Sequence, residues 1–153
     1  MDTFEEIVMS YLVRNGQEFV CPQFNLKTII DGKSWSCCPD FVAINPSRKI
    51  VSVVEVSIGS NTKGLAEKTN NWCGKWGEIL TKDLTDKRII DETWNPLQAR
   101  IFIRKDQTDG FVKRISSPDR IKIETIEDIW CRWSPKWWDE KLTLADSECG
   151  EIK

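Results

Sequence analysis

The apolar residues of the N-terminal segment recur at intervals of three and four positions: Phe4, Ile7, Val8, Tyr11 and Leu12. This spacing predicts an amphipathic helix over residues 4–14. Asp2 and Thr3 precede the pattern and are residue types that can cap a helix, whereas Asn15-Gly16 is typical of a helix end.

Runs of β-branched and aromatic residues follow this helix. Residues 17–30 are expected to be extended, with a break at Pro22. Residues 34–44 and 50–58 are two β-rich runs joined by the turn-rich loop 45–49, which predicts an antiparallel hairpin. The second of these runs is apolar along most of its length, so we expect that strand to be largely buried.

The second half of the chain combines helical and strand-like patterns. A helix is expected over residues 63–80, although Gly64, Gly74 and Gly77 weaken its propensity. A polar stretch follows over residues 81–98, and a strand is expected over residues 99–105. A shorter strand is expected over residues 120–124 and a last helix over residues 125–133. A loop or hairpin turn around Asp109-Gly110 joins the two strands. The order α-β-β-β-α-β-β-α predicts an α/β domain built on one mixed sheet.

The length of 153 residues suits one domain, which we place at residues 1–135. Residues 136–153 form a tryptophan-containing C-terminal extension whose end is a candidate for disorder. The tryptophans near this end predict a packed cap or a dimer surface, with base stacking as the alternative. The first residues lack the pattern of a signal peptide, and no apolar run is long enough for a membrane span.

The amino-acid composition limits the kinds of catalytic site that the chain can contain. The chain has no histidine, which excludes Ser-His-Asp and Cys-His hydrolases, HNH-type nucleases and zinc sites that need imidazole. Lys and Arg number 22 against 24 Asp and Glu, so a strongly basic coat is excluded but a local basic face is not. The six cysteines form no CxxC pair, which predicts reduced thiols in a cytoplasmic protein.

Two acidic residues on the predicted hairpin are the candidate site. If the loop is centred on residues 47–48, Ile44 faces Val51 and Asp40 faces Glu55. Facing residues of an antiparallel pair lie on one side of the sheet, where two like charges destabilise it unless a cation lies between them. A register shifted by one residue would instead leave Asp40 exposed at the strand start and Glu55 as an edge acid.

Pro39-Asp40, fourteen intervening residues and then Glu55-Val56-Ser57 resemble the motif of the PD-(D/E)xK phosphodiesterase superfamily. The opening segment and layout are most similar to its phage junction-resolving and Vsr-like branches. The resemblance implies a restriction-endonuclease-like αβββαβ core, with a central mixed sheet flanked by helices. It also implies Asp40 and Glu55 as metal ligands, with the Val56 backbone carbonyl as a further one.

A glutamate on the first helix completes the metal site in many of these families, and Glu5 matches it by position. The alternative for Glu5 is an ordinary first-turn glutamate favoured by the helix dipole. The lysine of the motif is absent, because Ser57 occupies its position. Some members place this lysine on the following helix, where Lys68 is the first candidate and Lys63 the second. Either lysine could instead belong to a solvated helix surface.

The resemblance predicts a Mg²⁺- or Mn²⁺-dependent DNA endonuclease that acts as a homodimer or larger assembly. An RNA endonuclease of the cap-snatching type is the alternative within enzymes, and Ser57 motivates a catalytically inactive nucleic-acid-binding module. DNA is favoured over RNA, and no membrane partner is expected. A basic segment could grip phosphates or protect a sheet edge: Arg100, Arg104, Lys105, Lys113, Arg114, Arg120 and Lys122.

Overall fold

The computed structural model describes residues 1–130. The boundary at residue 135, the extension 136–153 and the end of the last predicted helix lie outside the described residues. The helices are Thr3–Leu12 (α1), Thr62–Cys73 (α2), Lys75–Asp86 (α3), Thr108–Val112 (α4) and Ile126–Ile129 (α5). The strands are Phe19–Pro22 (β1), Leu26–Ile30 (β2), Lys33–Cys37 (β3), Phe41–Asn45 (β4), Ile50–Ser57 (β5), Gln98–Ile103 (β6) and Ile121–Thr125 (β7).

Five strands form one mixed sheet in the order β1-β4-β5-β6-β7. The pairs β1–β4 and β4–β5 are antiparallel, whereas β5–β6 and β6–β7 are parallel. Strands β2 and β3 form a separate antiparallel hairpin between β1 and β4 in the chain. The expected α/β fold with a central mixed sheet is confirmed.

Helices cover both faces of this sheet. Side chains alternate along β5, so its successive residues pack against opposite helical layers. Val54 packs in a cluster with Val8 of α1 and Ile129 of α5. The neighbouring Val53 packs on the opposite face, with Trp72 of α2 in its cluster. Burial on both faces explains why β5 is nearly continuous in apolar residues.

The break predicted at Pro22 is confirmed, because β1 ends at Pro22 and β2 begins at Leu26. The run over residues 34–44, predicted as one strand, is divided into β3 and β4. This division falls at Cys38, Pro39 and Asp40, where proline has no N–H for a sheet ladder. The chain therefore leaves the small hairpin at this point and enters the main sheet.

The single helix predicted over residues 63–80 is two helices, because the backbone at Gly74 leaves the helical region with φ −115° and ψ −127°. Helix α3 then continues to Asp86, into the polar stretch for which no helix was predicted. Gly77 permits the turn between the helices, since a Cβ there would collide with the carbonyl oxygen of Trp72. The loop expected around Asp109-Gly110 is the short helix α4 instead.

Candidate functional site

The predicted register of the acidic hairpin is confirmed. Ile44 pairs with Val51 and Phe41 pairs with Val54. Continued by one position, the same register puts Asp40 opposite Glu55. The Val56 N–H donates to Oδ2 of Asp40 at 2.7 Å, which holds the Asp40 carboxylate against β5.

Glu55 is buried, with 2% of its surface exposed. Both of its oxygens accept hydrogen bonds from α2: Lys68 Nζ lies 2.6 Å from Oε2, and Trp72 Nε1 lies 2.8 Å from Oε1. Lys68 and Trp72 are four residues apart, so one face of the helix presents both donors. The buried acid therefore has the partners that its burial requires.

The charges at this site do not balance. Burial raises the pKa of Glu55 to about 7; the Asp40 charge also raises it, and Lys68 opposes both. Burial acts to lower the pKa of Lys68, but the charge and hydrogen bond of Glu55, with Asp40, raise it overall. Two carboxylates thus face one ammonium group, and a further cation would be attracted to the pair.

The other predicted lysine does not lie at this pair. The Lys63 side chain is 78% exposed and approaches Glu67, with 4.0 Å between Lys63 Nζ and Glu67 Oε1. Of the two candidates, Lys68 is therefore the one that contacts Glu55. Ser57 is half-buried at the end of β5.

Glu5 has a structural role at the start of α1. Its Oε2 accepts the Asp2 N–H at 3.0 Å, and Asp2 Oδ1 accepts the Glu5 N–H at 2.9 Å. These reciprocal bonds form a capping box. The alternative of a first-turn glutamate thus has direct geometric support, and a contribution of Glu5 to metal binding stays a prediction.

The donor set suits a hard cation with few protein ligands. No group of three or more Cys, Asp or Glu side chains within residues 1–130 is arranged to hold a metal. Mg²⁺ commonly takes one or two carboxylates and completes its shell with waters and substrate phosphate. Asp40 and Glu55 fit that requirement, as they fit Mn²⁺. A role for the Val56 carbonyl stays a prediction.

Two cysteines lie beside the pair and are free thiols. Cys37 is half-buried against the core, and burial raises the pKa of both Cys37 and Cys38. Their thiols are therefore disfavoured as thiolates, which argues against a reactive redox role for these two cysteines.

Part of the basic segment is structural. Arg100 is buried and donates to Glu18 at 2.9 Å and to Glu124 at 3.0 Å. Arg120 donates to the backbone carbonyl oxygens of Leu97 and Cys73, each at 2.9 Å. Arg100 and Arg120 are thus committed to the protein's own groups.

Sequence reasoning missed the bond from Trp72 to Glu55. Trp72 was not among the candidate site residues, so its indole N–H had no predicted role. The available signal was the buried acid itself, since both oxygens of a carboxylate inside a sheet need donors.

No protein-family model, curated protein or solved structure matches the chain. Among the described residues, no helix has the length and apolar character needed to cross a membrane.

Proposed function

We propose that the protein is a metal-dependent DNA endonuclease that hydrolyses phosphodiester bonds. The observation that carries the proposal is Asp40, which directly precedes β4 and lies opposite Glu55 when the β4–β5 register is continued, with Lys68 Nζ 2.6 Å from Glu55. In a chain without histidine, carboxylates and lysines must carry this chemistry, and both are present at this site. The order α1, β1, β4, β5, α2, β6 supports a restriction-endonuclease-like core interrupted by the β2–β3 hairpin.

Asp40 and Glu55 would hold Mg²⁺ or Mn²⁺ at the end of β5. When bound, the ion would neutralise charge on the scissile phosphate and lower the pKa of an attacking water. The Val56 N–H fixes the Asp40 carboxylate, and the Trp72 N–H fixes that of Glu55. These contacts orient the two ligands before substrate arrives, so less reorganisation is needed during the reaction.

Lys68 takes the place of the missing motif lysine in this proposal. Ser57 lies two residues beyond Glu55 and carries no charge, whereas Lys68 arrives from α2 and reaches the carboxylate. The Lys68 side chain is 37% exposed, so it can also face a phosphate at the site. It would stabilise charge that develops on the phosphate and hold the Glu55 side chain in place.

An RNA endonuclease is the second candidate, and the position of Lys68 favours it. The cap-snatching enzymes that the hairpin resembles place their lysine on the helix after the acidic strand. The alternative of a catalytically inactive nucleic-acid-binding module was based on Ser57. That argument no longer applies if Lys68 substitutes for the motif lysine. Cutting both strands of a duplex takes two sites, so the proposal includes a homodimer or larger assembly.

Digestion of plasmid, branched DNA and RNA with Mg²⁺ or Mn²⁺, and with EDTA as the blank, tests the proposal. We expect metal-dependent cleavage that Asp40→Ala abolishes and Asp86→Ala preserves. Asp86 is a suitable control because it is an exposed aspartate at the end of α3. Absence of cleavage of all three substrates would overturn the nuclease assignment, and full activity in Asp40→Ala would overturn the site.

A further inference from the structure

The β2–β3 hairpin turns one face towards α3. Leu26 and Cys37 are cross-strand partners, and both pack on the core cluster that contains Leu80 of α3. Because side chains alternate along a strand, Lys33 and Trp35 lie on the same face as Cys37. Lys27 lies on the opposite face, since it neighbours Leu26 on β2.

The hairpin tip and the start of α3 enclose a cleft of about 390 Å³. Its lining is two indole rings, two ammonium groups and one carboxylate: Trp35, Trp76, Lys33, Lys75 and Asp31. Within residues 1–130, neither lysine has a carboxylate within ion-pair distance. Trp35 is 52% exposed, so a large aromatic surface faces this cleft without being needed for the core. The volume lies within the usual range for small-ligand sites.

Both walls of the cleft are linked to the candidate functional site through neighbouring residues. The Trp76 ring lies 6.3 Å from the Trp72 ring, and Trp72 donates its N–H to Glu55. On the other wall, β3 runs from Lys33 to Cys37 and is followed closely by Asp40. The two walls of the cleft therefore belong to segments that directly adjoin those carrying the acidic pair and its partners.

We propose that this cleft binds one unpaired nucleotide of the nucleic-acid substrate, with its base stacked on Trp35 and Trp76 and its phosphates beside Lys33 and Lys75. The inference rests on the proposed function and names its substrate class, which is nucleic acid with a single-stranded arm or branch. Aromatic rings stack on any base because every base has a π-face, and ammonium groups attract the backbone. A base that stays paired within a duplex is not free to enter the cleft.

Fluorescence anisotropy with fluorescein-labelled DNA in EDTA tests the stacking without any hydrolysis. We compare a blunt duplex with the same duplex carrying a single-stranded arm. Trp35→Ala is expected to weaken binding of the armed duplex roughly 5- to 150-fold, as loss of one stacked base does. Trp35→Phe should retain most of the affinity, and binding of the blunt duplex should change little.

The two faces of the hairpin supply a matched control for the charge. Lys33→Glu and Lys27→Glu make the same charge change on the same hairpin, but only Lys33 lines the cleft. We expect Lys33→Glu to weaken binding of the armed duplex. The slope of its affinity against salt concentration should also fall by about the amount that one phosphate contact contributes. Lys27→Glu should bind like the unchanged protein.

A 2-aminopurine base in the arm reports stacking directly, since its fluorescence falls when it stacks on an aromatic ring. Quenching that Trp35→Ala removes supports the inference. Normal binding in Trp35→Ala and Lys33→Glu would overturn it, and so would equal losses on armed and blunt duplexes. Cleavage assays with Asp40→Ala report on the nuclease function separately, so each idea can fail without the other.

Discussion

Glu55 is an acid inside a sheet, and each of its contacts explains part of its chemistry. Lys68 and Trp72 satisfy its two oxygens, while Asp40 lies across the strand as a like charge. A buried carboxylate without partners destabilises the folded protein, and a bound cation would relieve the remaining repulsion between Asp40 and Glu55. Substitutions at individual residues can therefore separate ligand, positioning and structural roles.

Asp40→Asn removes a charge while it keeps the shape and an oxygen that accepts the Val56 N–H. We expect metal-dependent cleavage to fall below detection, because a neutral amide is a poor ligand for Mg²⁺. The metal-free protein should melt at the same temperature or slightly higher, because the repulsion on Glu55 is relieved. Thermal melts in EDTA and cleavage assays in Mg²⁺ measure the two effects. A large loss of stability would point to a structural role for the Asp40 charge.

Lys68→Ala should reduce cleavage on the order of a hundredfold under saturating Mg²⁺, the scale found when one charge-stabilising donor is removed. Lys63→Ala is the matched control, since Lys63 is exposed on the same helix and approaches only Glu67 among the ion pairs of the described residues. Ser57→Lys added to Lys68→Ala should restore part of the rate. Normal cleavage in Lys68→Ala would remove the lysine from the mechanism.

At the scale of elements, the first turn of α1 combines a cap with a candidate metal ligand. Glutamine can replace glutamate in a capping box, so Glu5→Gln keeps the cap and removes only the charge. If Glu5 assists metal binding, cleavage should fall far more in Glu5→Gln than in Glu6→Gln, with equal melting temperatures. Equal cleavage rates in the two variants would leave Glu5 with the capping role alone.

The turn between α2 and α3 requires a glycine at position 77, where a side chain would not fit. Gly77→Ala should destabilise the protein by about 1–3 kcal/mol, because its Cβ would collide with the Trp72 carbonyl and push the helices apart. Gly59→Ala is the control, since a Cβ there meets no atom within 4 Å. Urea denaturation measures both. A shift in α2 would also move Lys68 and Trp72, so Gly77→Ala should lower cleavage too.

At the scale of the whole molecule, a buried ionic network ties the sheet to α1. Arg100 of β6 bonds to Glu18 and Glu124, and Tyr11 of α1 donates its O–H to Glu124 at 3.0 Å. Burial acts to raise the pKa of Glu124, but the charge and hydrogen bond of Arg100, with Lys122, leave the pKa below its ordinary value. The folded protein therefore holds this carboxylate ionised more strongly than the unfolded chain does.

The lowered pKa of Glu124 determines how the stability of the protein depends on pH. With a folded pKa below the unfolded one, the stabilisation from Glu124 is present above the unfolded pKa of about 4.3 and is lost as the pH falls through the folded pKa. Glu124→Gln should lower stability at neutral pH by roughly 2–3 kcal/mol and flatten the acid limb of the stability curve. Melts between neutral and acid pH measure this, with the exposed Glu67→Gln as control. An unchanged acid limb in Glu124→Gln would assign acid unfolding to other groups.

The sequence determined the features that depend on local patterns. The period of the apolar residues predicted α1, and turn residues between two β-rich runs predicted the register that puts Asp40 opposite Glu55. The four-residue spacing of Lys68 and Trp72 puts them on one helix face, and both contact Glu55. These features follow from helix and strand geometry, which is set by neighbouring residues along the chain.

Tertiary structure decided the features that depend on distant partners. Whether residues 34–44 form one strand or two depended on β2, β1 and β5, which offer different pairing edges. The choice of Lys68 over Lys63 depended on how α2 crosses β5, which no local pattern encodes. The cleft between Trp35 and Trp76 likewise exists because the small hairpin packs on α3. Long-range packing sets these distances, because each depends on elements that meet only after the chain has folded.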